Sequence, residues 1–283
     1  MKKIIEYYVY SNFHIAICAV AALYSGYSFF QIKYNIWSLV FIFMGTIITY
    51  SVHRIIGQRK IIGVLTNTSR FKFFNPDNNK IHLGLSLIGT AIAAFALLQL
   101  NITLQLGYVG LSLISTLYIL PLFGSGKRLR DLGNIKIFLI AIVWGAIFIL
   151  PVLDDPNYGY RSANLILFIE KFLFIFALTL PFDIRDKHLD NQTSVSTLVH
   201  LLSDRVVRNM ILISLLGAMS MVIISLYMGV YDIYLSASMI LFYCLQAVLC
   251  YSVKDDTSEL YYLGCLDALI LVHGGIIILN TIL

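Results

Sequence analysis

Long apolar runs alternate with shorter polar connections along this chain. Runs of spanning length fall at roughly 12–31, 36–57, 81–100, 102–121, 135–153, 163–182, 208–229, 233–253 and 260–283. Each is near the ~20 residues that cross a hydrocarbon core as a helix. Lipid offers the backbone no water, so a spanning segment must satisfy its own hydrogen bonds, and a helix does so. The pattern predicts an all-α, multi-spanning membrane bundle of about nine helices. No Pro- or Ser-rich linker, low-complexity tract or soluble domain interrupts it, so residues 1–283 read as a single integral membrane domain.

The polar connections alternate in charge. Of the 20 Lys and Arg, all but Lys33, Arg161 and Lys171 fall on one side of this arrangement. Basic residues accumulate in cytoplasmic loops, which places the N-terminus in the cytoplasm, the C-terminus outside and the protein in the cytoplasmic membrane. Lys2 and Lys3 ahead of "CAVAA" resemble the start of a cleaved signal peptide. However, the apolar run continues through Phe30 and Glu6 breaks the basic start, which favours a retained first helix.

Composition agrees. Hydrophobic residues make up 59% and charged residues 12%, against about 25% charged in soluble domains. The net charge of +5 therefore bears on membrane sidedness, not on nucleic acid. Cys18, Cys244, Cys250 and Cys265 sit in apolar runs with no CxxC pair, and read as small buried hydrophobes.

Against this background "LPFDIRDKHLD", residues 180–190, is unusual: Asp183, Asp186 and Asp190 follow directly on an apolar run. If the sixth helix continues through it, the spacing puts all three carboxylates on one face. Such like charges need neutralising. Arg185 and Lys187 supply part of that, and a divalent cation would supply more. Mg²⁺ takes hard oxygen ligands, usually one or two carboxylates plus substrate phosphates. Two readings are open here: a seat for a metal-bridged diphosphate, or a solvated helix end with local ion pairs.

The segment "PFDIRDKHLDNQTSVSTL" resembles the second aspartate-rich motif of the UbiA-type intramembrane prenyltransferases, which follows the sixth of nine helices. "TLYILPLFGSGKRLRDLGNIKIFLIAIVW", residues 116–144, is similar to that family's Tyr-x-x-Pro, basic loop and Lys…Trp passage into helix five. With helix count and sidedness, the resemblance covers essentially the whole chain. It implies a bundle that binds a polyprenyl diphosphate through Mg²⁺ and passes the prenyl group to a lipophilic, aromatic or other, acceptor. Asp183, Asp186 and Asp190 would hold the metal. Arg54, Lys127, Arg128, Arg130, Arg185 and Lys187 would bind diphosphate. Membrane lipids would surround the bundle, and no nucleic acid is expected.

One departure stands out. The family carries a first acidic motif at the cytoplasmic end of helix two, where this chain reads "TYSVHRIIGQRK". Ser51, His53, Arg54 and Gln58 occupy that degenerate motif, and no acid occurs between Glu6 and Asp77. Either Arg54 replaces the missing metal's charge and contacts diphosphate, or the chain binds an isoprenoid or other lipid without turning it over. A small-solute transporter working through Asp267 is a third, weaker reading, because the sequence shows few broken helices and no paired midplane charges.

Other candidates are weaker still. "GSGKRLRD" fails as a P-loop, since residue 121 is Pro and residue 128 is Arg. Asp267 and His273 lie in the ninth run on different faces, so each is expected to find its own structural partner. Asp154 and Asp155 read as a solvated turn.

Overall fold

The apolar runs become helices, as lipid requires. The computed structural model describes residues 2–61, 79–120, 129, 135–155, 162–192, 202–254 and 256–282, with the side chains of 2, 57–61, 79–82 and 187–192 excepted. The helices are α1 (Lys2–Tyr10), α2 (Phe13–Phe29), α3 (Ile36–Ile61), α4 (Asn79–Leu98) and α5 (Ile102–Ile119). They continue as α6 (Ile135–Ile149), α7 (Ser162–Gln192), α8 (Asp204–Tyr227), α9 (Ile233–Tyr251) and α10 (Asp267–Ile282).

Each expected run falls on a helix. Among the described residues seven helices are long and apolar enough to cross a membrane. α2 passes that test only together with α1, from which it is bent by 59°. On α4 the described side chains begin at Leu83, and Leu83–Leu98 is an apolar stretch. The bend has a local cause: Asn12 adopts the left-handed conformation, φ 69°, a region Asn tolerates better than most residues.

The helices close into a ring in chain order. Each packs on the next from α2 to α10, and α10 returns to α2, which also crosses α6. Small residues permit the closest approaches. A Cβ on Gly26 would collide with the Phe148 carbonyl oxygen on α6. One on Gly274 would lie 2.9 Å from the Ala21 carbonyl oxygen, where α10 meets α2. The outer surface is apolar, with Leu87, Leu98, Ile213 and Leu241 each more than half exposed. Glu170, Lys171 and His273 are buried inside. That inversion is what an integral membrane protein presents to lipid.

At the ring's Asp154 end the expected solvated turn is instead a fastening. Tyr27 OH donates to Asp154 Oδ2 at 2.8 Å and Asn101 Nδ2 to Oδ1 at 2.9 Å. This ties α2 and α5 to the connection after α6. At the opposite, Asp183 end, a π-helical turn (Tyr261–Leu266) leads into α10. Its Gly264 carbonyl oxygen lies 3.0 Å from His14 Nε2, and Cys18 Sγ donates to the Asp267 carbonyl at 3.3 Å. Side chains of α2 thus satisfy backbone groups that a π turn frees.

Candidate functional site

The site begins with α7. Pro181 lies inside this helix and cannot donate to the Ala177 carbonyl, yet the backbone stays helical to Gln192. Asp183, Asp186 and Asp190 therefore share one helix face, as the spacing predicted. At ~1.5 Å per residue the 31 residues of α7 reach about 46 Å, more than a hydrocarbon core of ~30 Å. The aspartates stand at its far end.

Asp183 is almost wholly buried, at 1% exposure. Its Oδ1 lies 2.5 Å from Lys136 Nζ, on the first turn of α6. The same ammonium is 4.0 Å from Asp186 Oδ2, so one cation spans both carboxylates. Arg185 Nε donates to Asp186 Oδ1 at 2.8 Å. The Arg185 guanidinium also packs over the rings of Phe182 and Tyr262, 5.2 and 5.0 Å from their centroids. Two buried atoms here have no hydrogen-bond partner in the described structure: Asp183 Oδ2 and Arg185 Nη1. One accepts and the other donates, and they lie two residues apart. Most buried polar atoms have a partner in protein or ordered water, so each unpaired one calls for an explanation.

Lys136 was not among the candidates, although it lies in the Lys…Trp passage. Its pairing depends on α6 and α7 lying side by side, which no local pattern announces. Lys127, Arg128 and Arg130 lie outside the described residues, as do the side chains of Lys187, Asp190 and Gln58.

The degenerate motif on α3 has a definite task. Asn12 Nδ2 donates to Ser51 Oγ at 3.0 Å, and Arg54 Nη1 donates to the Tyr10 carbonyl at 2.5 Å. Both contacts hold the α1–α2 elbow, and Arg54 is itself buried. Tyr10 packs with Val9 and Leu263, and Phe182 lies against that cluster. Arg54 is thereby joined to the Asp183 end of α7 through the elbow. His53 stacks on Tyr118 with centroids 6.2 Å apart. Asp267 lies within electrostatic reach of Tyr50, as does Arg54.

A second polar cluster lies deeper, some 13 residues or ~20 Å along α7 from Asp183. Glu170 accepts from Lys171 Nζ at 2.9 Å, Tyr243 OH at 2.6 Å and Tyr231 OH at 2.7 Å. Lys171 also donates to Tyr231 OH at 2.9 Å. His273 stacks on Phe174 at 4.5 Å, with Nε2 3.4 Å from Tyr243 OH. So there is a paired charge within the bundle, which sequence reading did not expect. Its signal was an acid and a base side by side in an apolar run. Both are enclosed and hydrogen-bonded. Burial, then the Glu170 carboxylate, pushes the Tyr231 phenol well above its ordinary value.

Among the described residues no group of three or more His, Cys, Asp or Glu converges as a metal site. Asp183 and Asp186 suit one divalent cation: both offer hard oxygen, both face one ammonium, and Asp183 Oδ2 is unpaired. Nothing comparable stands on α3, where Ser51 and Arg54 replace acids.

The fold matches solved structures. A UbiA homolog from Archaeoglobus fulgidus bound to GPP and Mg²⁺ is 12% identical over 96% of this chain and 99% of its own, with a TM-score of 0.71. An apo UbiA homolog from Aeropyrum pernix K1 is 13% identical over 96% and 99%, with a TM-score of 0.63. A structure described for digeranylgeranylglyceryl phosphate synthase in membranes is 14% identical over 100% and 98%, with a TM-score of 0.62. No family model and no curated protein matches the chain. At such identities the likeness is one of fold.

Proposed function

We propose that this protein transfers a prenyl group from a polyprenyl diphosphate to a lipophilic acceptor within the membrane. The observation that carries the reading is the pair of unpartnered buried atoms, Asp183 Oδ2 and Arg185 Nη1. A metal-bound diphosphate supplies both complements at once: a cation for the carboxylate and an anionic oxygen for the guanidinium. In support, two structures of a UbiA homolog from Archaeoglobus fulgidus with the same fold are bound to GPP or DMAPP together with Mg²⁺.

In this reading Asp183 and Asp186 hold Mg²⁺, with Asp190 on the same helix face. The metal withdraws charge from the departing diphosphate. Arg185 donates to a phosphate oxygen and keeps its orientation through Asp186 and the Phe182 and Tyr262 rings. Lys136, with Lys127, Arg128, Arg130 and Lys187 as further basic candidates, meets the remaining negative charge. The allylic C–O bond breaks with its electron pair leaving on diphosphate. The prenyl carbon then bonds to the acceptor, which loses a proton. The basic loops place this end of the bundle on the cytoplasmic face, with the C-terminus outside.

One observation favours a second reading. Arg54 and Ser51 help to hold the α1–α2 elbow, and α3 carries no acid for a second metal half-site. A chain that binds an isoprenoid without turnover fits that fact. Diphosphate release by purified protein separates the two. Transfer predicts release that needs Mg²⁺, stops with chelator and collapses in Asp183→Asn and Asp186→Asn at normal expression. Saturable isoprenoid binding that survives chelation, with no release, supports the silent binder.

A further inference from the structure

The ion pair between α6 and α7 raises a question of charge. Asp183 and Asp186 carry two negative charges, and Lys136 and Arg185 carry two positive ones. Three ion pairs join them: Lys136 on Asp183 at 2.5 Å and on Asp186 at 4.0 Å, and Arg185 on Asp186 at 2.8 Å. These acids therefore already have cationic partners without any ligand, and Glu259 also lies within electrostatic reach of Arg185. Lys136 is about 5% exposed and Asp183 about 1%, so solvent screens little of this. A bare divalent cation arriving on Asp183 Oδ2 would stand beside the Lys136 ammonium already seated on Oδ1, and in a low-dielectric site the two repel.

We infer that Lys136 is a built-in competitor for the metal, and that the ion enters this site together with the diphosphate, not before it. The inference rests on the prenyl-transfer reading for its ligand. Divalent cation and prenyl diphosphate together are net negative, because the diphosphate carries more charge than one cation neutralises. When that pair binds, the metal takes Asp183 and the freed Lys136 ammonium turns to phosphate oxygen, where Arg185 Nη1 also donates. The net negative charge of the incoming pair gives the ammonium and the guanidinium an anionic partner. Lys136 suits the exchange, since a lysine is a point charge on a flexible stem. Arg185 does not, because stacking on two rings and its bond to Asp186 fix its plane. The departure on α3 gives the exchange its purpose: with no acid at Ser51 or Arg54 to hold a second metal, the released ammonium supplies part of the missing positive charge.

Mn²⁺ binding followed by paramagnetic resonance tests this on the full chain in nanodiscs. Native protein and Lys136→Arg bind Mn²⁺ weakly alone and tightly with geranyl S-thiolodiphosphate, a slowly reacting analogue. Lys136→Met, which removes the competitor, binds Mn²⁺ alone roughly ten- to a hundredfold more tightly than native. Its lowered melting temperature recovers on adding Mn²⁺ alone. Native protein that binds Mn²⁺ alone as tightly as with the analogue overturns the inference, whether or not Lys136→Met folds. So does a folded Lys136→Met with native Mn²⁺ affinity. If the analogue promotes no Mn²⁺ binding to any variant while Lys136→Met still gains affinity for Mn²⁺ alone, the competition stands and the prenyl-transfer reading fails.

Discussion

A buried charge is stable only with its partner, and this chain makes two such bargains on one helix. At the deeper one, Glu170 accepts from Lys171, Tyr231 and Tyr243. Glu170→Gln leaves the Lys171 ammonium uncompensated and is expected to cost about 3–5 kcal/mol, read as a large fall in melting temperature in detergent. Tyr243→Phe removes one hydrogen bond and costs about 1–3 kcal/mol. An equal effect of the two would contradict a charge-centred cluster. Tyr231 adds a pH dependence. Its phenol is raised in the folded state by burial and by Glu170, so its contribution is complete below the unfolded value of about 10. That contribution is lost as pH rises from there towards the folded value, and Tyr231→Phe should flatten this alkaline loss of stability. Single residues were unevenly legible in the sequence. Asp183 stood out because an acid after an apolar run is conspicuous. Lys136 did not, because its partner is 47 positions away in the chain. Arg54 Nη1 also bonds a backbone carbonyl, that of Tyr10, which no side-chain pattern reveals.

Among elements, the α1–α2 elbow joins the degenerate motif to the Asp183 end. Arg54→Met frees the Tyr10 carbonyl, and Asn12→Ala removes the bond to Ser51 and places a less tolerant residue at a left-handed position. Either change should raise hydrogen exchange across residues 2–12 while α7 and α9 stay protected. Exchange that rises uniformly would mean that the elbow is not a separate unit. The close helix crossings give a complementary expectation. Gly274→Val forces a side chain against the Ala21 carbonyl, with a cost of about 1–3 kcal/mol, whereas Gly275→Val, where a Cβ meets nothing within 4 Å, should be nearly neutral. The apolar runs located the helices well, since lipid imposes length and polarity on every spanning segment. α1 escaped notice because its nine residues are too few to span.

For the molecule as a whole, ring closure brings residues from distant runs to one end, where Phe182, Arg185, Tyr262 and Tyr10 lie in a continuous set of contacts. Charge asymmetry between the loops was readable without any structure, and with it the expectation that this end faces the cytoplasm. Single cysteines placed beside Asp154 and at Glu259, in a chain lacking its natural ones, should label from opposite sides of sealed vesicles, Glu259 from the cytoplasm. Labelling of both from one side would overturn the topology. The central claim is that the Asp183 end captures a metal-bound diphosphate. The most direct measurement is a structure of the protein with Mn²⁺ and geranyl S-thiolodiphosphate, with the metal located by its anomalous scattering. The account predicts a metal peak about 2 Å from Asp183 Oδ2, with a phosphate oxygen within hydrogen-bonding distance of Arg185 Nη1. A bound analogue whose diphosphate lies elsewhere, with Lys136 still seated on Asp183, would contradict it.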